Sequence, residues 1–109
     1  MIRQITPAEL AAWLADGGRE PPLLLDVREP WEWGRARIEG ATHIPMREVP
    51  ARLGGLDNAR EVVAICHHGG RSQQVAMFLD KNGFAKIHNL QGGVGCLVTD
   101  SRSGGSGLL

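Results

Sequence analysis

The stretch Val62-Val63-Ala64-Ile65-Cys66-His67-His68-Gly69-Gly70-Arg71-Ser72-Gln73-Gln74-Val75-Ala76 has the pattern of a strand, a tight loop and a helix. Its opening apolar run is rich in β-branched residues, which suits a strand buried on both faces, as the strands of parallel sheets are. A cysteine ends the strand. Gly69 and Gly70 let the backbone turn sharply and aim its amides inward, and Ser72 is placed to cap a helix whose apolar positions Val75, Ala76 and Leu79 follow at helical spacing. The predicted helix begins beside the sulfur of Cys66.

That placement carries chemistry. A helix start offers unpaired N–H groups and a partial positive charge, which stabilise an anion and lower the pKa of a thiol held there. Arg71 adds a full positive charge. His67 and His68 add more when protonated, and they leave room in the loop for an incoming anion. The expectation is a sulfur that is nucleophilic at neutral pH. The plainer alternative is a structural cysteine in an ordinary sheet, but an inert cysteine has no need of Gly-Gly-Arg-Ser behind it.

Upstream, Ile2 to Ile5 is a strand candidate. Thr6-Pro7-Ala8-Glu9 has the form of a capping box with proline at the first helical position, followed by the apolar stripe Leu10, Trp13 and Leu14 and the stop Asp16-Gly17-Gly18. Leu23 to Val27 is a second buried strand, followed by a turn and a short helix after Pro30. Ala41 to Ile44 is a third strand, stopped by Pro45. Met46 to Leu53 has a helical pattern with Val49 and Leu53 inward, interrupted by Pro50. The helix from Ser72 stops at Asn82-Gly83, and Phe84 to Leu90 is the last strand. Strands alternating with helices predict an α/β fold with a parallel sheet. Functional residues of such sheets gather beyond the carboxyl ends of the strands, so Asp26 through Glu29 belong near Cys66. Asp26 and Arg28 have two readings, as a pair fixing that loop or as participants in the chemistry. Trp31 and Trp33 read as packing residues and His43 as structural.

The chain of 109 residues has room for one modest core, and its 12 Lys and Arg balance its 12 Asp and Glu. That balance argues against broad attraction to nucleic acid or a membrane surface. Two cysteines are too few for a secreted disulfide scaffold. No signal peptide is visible, and no apolar run approaches the roughly 20 residues of a membrane span. A soluble protein of the cytoplasm is expected.

The run Cys66-His67-His68-Gly69-Gly70-Arg71-Ser72 after an apolar strand resembles the active-site loop of the rhodanese homology domain, a sulfurtransferase family. Leu24-Leu25-Asp26-Val27-Arg28-Glu29-Pro30-Trp31-Glu32 is similar to the family's first box. Ile38-Glu39-Gly40-Ala41-Thr42-His43-Ile44-Pro45 is similar to the next, and Gln91-Gly92-Gly93 to a later one. The order and spacing match over residues 1 to 93. The family usually carries a histidine two or three residues before the glycine of the second box, where this chain has Arg37-Ile38-Glu39-Gly40.

The resemblance implies a small, mostly parallel sheet of about five strands with helices on both faces. It implies Cys66 as the catalytic nucleophile, His67, His68, Gly69, Gly70, Arg71 and Ser72 as the substrate-binding and anion-binding loop, and Asp26 and Arg28 in support. The activity implied moves a sulfane sulfur from thiosulfate or a similar donor to cyanide or a thiol, including a protein thiol, through a persulfide. No metal and no organic cofactor are implied.

After Gly93 the resemblance fails. The family continues with an Ala-Trp pair that opens a covering helix, whereas residues 94–109 form a Gly/Ser-rich tail with the composition of a flexible linker. Gly95 to Thr99 can be encoded so that a one-nucleotide advance reads Ala-Ala-Trp-Ser, which suggests a shifted frame. Cys96 is then incidental. Two rivals to the transferase reading are a binding module that keeps the fold without turnover, and a cysteine phosphatase or arsenate reductase. The phosphatase loop places five residues between cysteine and arginine. Here Arg71 is itself the fifth residue after Cys66, so the loop is one residue short for a phosphoryl group.

Overall fold

The computed structural model describes residues 2–67 and 70–92. The expectations for His68, Gly69 and the tail from residue 94, with Cys96, lie outside the described residues. Five strands form one sheet: β1 (Ile2–Ile5), β2 (Leu23–Asp26), β3 (Thr42–His43), β4 (Val62–Ile65) and β5 (Ile87–Leu90). The helices are α1 (Pro7–Ala15), α2 (Pro30–Arg35), α3 (Val49–Arg52) and α4 (Gly70–Lys81). The strand order is β1-β5-β4-β2-β3, and every pairing is parallel. The fold is therefore the α/β architecture expected.

β4 sits in the middle of the sheet with all of its residues buried, and its side chains alternate between two cores. Val62 and Cys66 face one cluster with Leu25, Val27, Ile87 and the inward residues of α4, Val75, Ala76 and Leu79. Val63 and Ile65 face the other, with Ile5, Leu24, Leu90, Ile38 and the α1 residues Leu10 and Trp13. The period of two in a strand sends successive side chains to opposite faces, so an unbroken apolar run is what a strand covered on both sides requires.

The ends of the helices follow local chemistry. At α1 the Thr6 hydroxyl accepts from the Glu9 amide at 3.1 Å, and the Glu9 carboxylate accepts from the Thr6 amide at 2.8 Å, completing the capping box. At the end of α4, Gly83 takes the left-handed conformation (φ 93°) and the Phe84 amide reaches back to the Leu79 carbonyl at 3.1 Å. Phe84 is buried in the same cluster as Leu79, so one glycine turns the chain toward β5 and closes the core.

Several sequence expectations need correction. The strands are shorter than read: the second ends at Asp26, the third keeps only Thr42 and His43, and the last begins at Ile87. The helical pattern of Met46 to Leu53 resolves into a 3-10 turn (Met46–Glu48), α3, and a second 3-10 turn (Leu53–Gly55). Pro50 does not interrupt α3. It stands in its first turn, where its missing N–H has no intrahelical partner to lose. Trp31 is not a packing residue, since it is 64% exposed, whereas Trp33 stacks on His43 with ring centroids 4.8 Å apart. Among the described residues, no helix is long and apolar enough to cross a membrane.

The packing sets an expected contrast in stability. Leu25→Ala, at a position with no exposed surface, is expected to lower the unfolding free energy by about 2–5 kcal/mol. Trp31→Ala should change it by no more than about 0.5 kcal/mol. Urea denaturation of both variants beside the parent chain measures the difference.

Candidate active site

β2 and β4 are neighbours in register, with Asp26 beside Ile65, and the Val27 amide continues the ladder to the Ile65 carbonyl at 2.9 Å. The chain leaves β2 toward β3 on one side and leaves β4 toward β5 on the other. The carboxyl ends of these two strands thus lie side by side where the connections diverge, the position at which open α/β sheets form their crevices. Cys66 follows β4 there, and Arg28 follows β2.

Asp26 and Arg28 form a buried pair. Arg28 Nε lies 3.0 and 3.1 Å from the two Asp26 carboxylate oxygens, Nη2 lies 2.8 Å from Oδ2, and the Arg28 amide donates to Oδ1 at 3.0 Å. The same guanidinium donates to the carbonyls of Glu32 and Ala36, and so ties the end of β2 to the middle and the C-terminal end of α2. A buried charge without its partner is costly, so these two side chains depend on each other. His43 Nε2 is 2.8 Å from the Arg28 carbonyl oxygen and completes the frame around this loop.

Glu32 joins that frame to the cysteine loop. Its carboxylate grips Arg71 with two parallel bonds, Nη1 to Oε1 at 2.7 Å and Nη2 to Oε2 at 2.8 Å, while Oε1 also accepts from the Glu29 amide at 2.9 Å. The Arg71 hydrogen bond holds the Glu32 carboxyl down at about 2 against its ordinary 4.5, partly opposed by burial. The same pairing raises Arg71, with a further contribution from Cys66. Two nitrogens of the Arg71 guanidinium are thus engaged within the protein, a partner that the sequence reading of Arg71 as part of the anion-binding loop did not include.

Cys66 is 1% exposed and packs on the α4 side of the sheet. The expectation that Ser72 caps the helix is corrected, because α4 already begins at Gly70. Ser72 stands inside the first turn, fully buried, with its Oγ 3.4 Å from Cys66 Sγ and hydrogen-bonded to Asn89 Oδ1. His67 is half-buried and Gly70 exposed at the start of the helix. Among the described residues no group of three or more His, Cys, Asp or Glu side chains is arranged to hold a metal ion.

The model of the rhodanese-like domain matches residues 6–95. The chain belongs to the rhodanese-like domain family. It is 35% identical over 94 residues to a sulfurtransferase of Allochromatium vinosum, covering 86% of each chain. It is 29% identical over 92 residues to the thiosulfate sulfurtransferase GlpE of Pseudomonas entomophila, covering 84% of this chain and 81% of the relative. A crystal structure of a rhodanese-like domain protein from Staphylococcus aureus superposes with a TM-score of 0.78 at 30% identity, covering 84% of this chain and 87% of that one.

Sequence reasoning missed two residues of this rhodanese-like domain. Glu32 stands 39 positions from Arg71, and its only local sign was the acidic third residue of a helix that starts with proline. Asn89 was visible as a polar residue between His88 and Leu90 in the last strand, and its burial there needs a hydrogen-bond partner.

The Glu32 pairing predicts a pH dependence. A carboxyl lowered in the folded state contributes stability that is present in full above about pH 4.5 and is lost as the pH falls through about 2. Urea-unfolding curves at pH 6, 4 and 3 are expected to show the parent chain losing its advantage over Glu32→Gln across that window. A constant difference between the two would contradict the assignment.

Proposed function

We propose that this domain is a sulfurtransferase that carries a sulfane sulfur on Cys66. The observation that carries the reading is the placement of this one thiol: at the carboxyl end of the central strand, at the head of α4, beside Ser72 and in electrostatic contact with Arg71. The names of the relatives, a sulfurtransferase and a thiosulfate sulfurtransferase, support the same chemistry.

In the first half-reaction the Cys66 thiolate attacks the outer sulfur of thiosulfate or a similar donor. A new S–S bond forms, the donor's own S–S bond breaks, and its electron pair leaves with sulfite. In the second, cyanide or a thiolate, including one on a protein, attacks the outer sulfur of the persulfide and the Cys66 thiolate departs. Both steps are displacements at sulfur and require neither a metal nor an organic cofactor. The amides of the loop from His67 to Ser72, with Gly69 and Gly70, cradle the anionic persulfide at the helix start. Arg71 orients the donor's sulfonate oxygens by giving up one of its two bonds to Glu32. Asp26 and Arg28 hold the floor of the loop without touching the donor. A thiolate of this kind belongs in a reducing compartment such as the cytoplasm.

Intact mass after incubation with thiosulfate tests the proposal. The parent chain is expected to gain about 32 Da, one sulfur atom, that cyanide or dithiothreitol removes, and Cys66→Ser is expected to gain nothing. A folded parent chain that takes up no sulfur would favour a binding module built on the same fold.

A further inference from the structure

Ser72, Asn89, Gln4 and Gln73 form a chain of three side-chain hydrogen bonds that starts and ends on α4 and crosses β5 and β1. The Ser72 hydroxyl, on α4, donates to Asn89 Oδ1 on β5. Asn89 Nδ2 donates to Gln4 Oε1 on β1 at 2.9 Å, and Gln4 Nε2 donates to Gln73 Oε1, back on α4, at 2.9 Å. Gln4 and Asn89 are register partners in the parallel β1–β5 pairing, so the strand ladder itself sets them side by side. With its Nδ2 on Gln4, the Asn89 amide turns its oxygen toward Ser72.

Ser72 has one proton and two acceptors within reach, Asn89 Oδ1 and the sulfur of Cys66 at 3.4 Å. While Cys66 is a thiol, the hydroxyl serves Asn89 and its oxygen faces the S–H. Once Cys66 is an anion, the hydroxyl proton is better placed on sulfur, and turning it there gives up the bond to Asn89. The geometry points to Asn89 as a positioning residue that holds the Ser72 hydroxyl and thereby controls how readily Cys66 becomes an anion. Asn89 is only 4% exposed and Ser72 fully buried, so water competes poorly for either group. The charged and titratable groups around this end of the sheet are Arg71 on α4, His67 in the loop, Glu32 on α2, Asp26 at the end of β2, Arg28 just after it, and His43 on β3. None of them is altered in the variants below.

The test is a double-mutant cycle read by the pH profile of Cys66 alkylation with iodoacetamide, on folded protein checked by circular dichroism. Asn89→Leu removes the competing acceptor and is expected to move the alkylation midpoint to lower pH by about one unit. In the Ser72→Ala background the same substitution is expected to move it hardly at all. Equal movement in both backgrounds, or none in either, would overturn the inference, because a residue that merely packs the sheet shifts stability without acting through Ser72. If Asn89→Leu fails to fold, the smaller Asn89→Val replaces it. Valine removes the competing acceptor as leucine does and suits a strand, so the midpoint is again expected to fall, and to move hardly at all in the Ser72→Ala background; equal movement in both, or none in either, overturns the inference. Alkylation involves no sulfur donor, so this result stands apart from whether Cys66 carries sulfur from thiosulfate.

Discussion

The parallel pairing of β2 with β4 is the constraint on which the rest depends. It runs from Leu23 beside Val62 to Asp26 beside Ile65, and it forces two chain segments more than 30 residues apart to end at the same level. A shift of one residue would send every β4 side chain to the opposite face. Cys66 would then leave the α4 side of the sheet, and Ser72 would lose contact with the sulfur. The register is fixed by burial on both faces, because Leu24 and Val63 serve one core while Leu25 and Val62 serve the other.

Charge is handled at this strand end by graded burial. The innermost pair, Asp26 with Arg28, is almost wholly enclosed and spends its hydrogen bonds on the protein itself. The next, Glu32 with Arg71, is partly open, its side chains 10% and 31% exposed. The outermost, Glu29 with Arg47, is 37% and 62% exposed. An enclosed pair is stiff because removing either partner strands a buried charge, while an exposed pair is weak and readily exchanged. Stiffness suits the floor of a site, and the intermediate pair suits a cation that must hold its place and still meet an anion.

The sulfur sits between two different influences. On one side are Arg71 and the start of α4, which favour an anion. On the other is a neutral hydrogen-bonded chain that reaches across β5 and β1 and contains no charge to be neutralised by salt or pH. The chain is enclosed at Ser72 and Asn89 and open to solvent at Gln4, so its inner members are held by packing and its outer members by one another.

Much of this was legible in the sequence, because it rests on local chemistry. The apolar run before Cys66 announced a strand covered on both faces, Thr6-Pro7-Ala8-Glu9 announced the start of α1, and Asn82-Gly83 announced the end of α4, each through interactions among residues close in the chain. The cysteine with glycines, arginine and serine behind it marked the candidate site for the same reason. What the tertiary structure decided is everything that depends on which strands become neighbours. Ser72 looked like a cap from its spacing, but its hydroxyl turned inward because β5 brings Asn89 against it. Arg71 read only as a positive charge in the loop, and the divergence of chain after β2 and β4 set Glu32 beside it. Trp31 looked like core from its composition alone, and the orientation of a helix of six residues put it in water. Local pattern determines where elements begin, end and hide their apolar faces; partners for polar groups 39 or 85 residues away are chosen by topology, which no window along the chain contains.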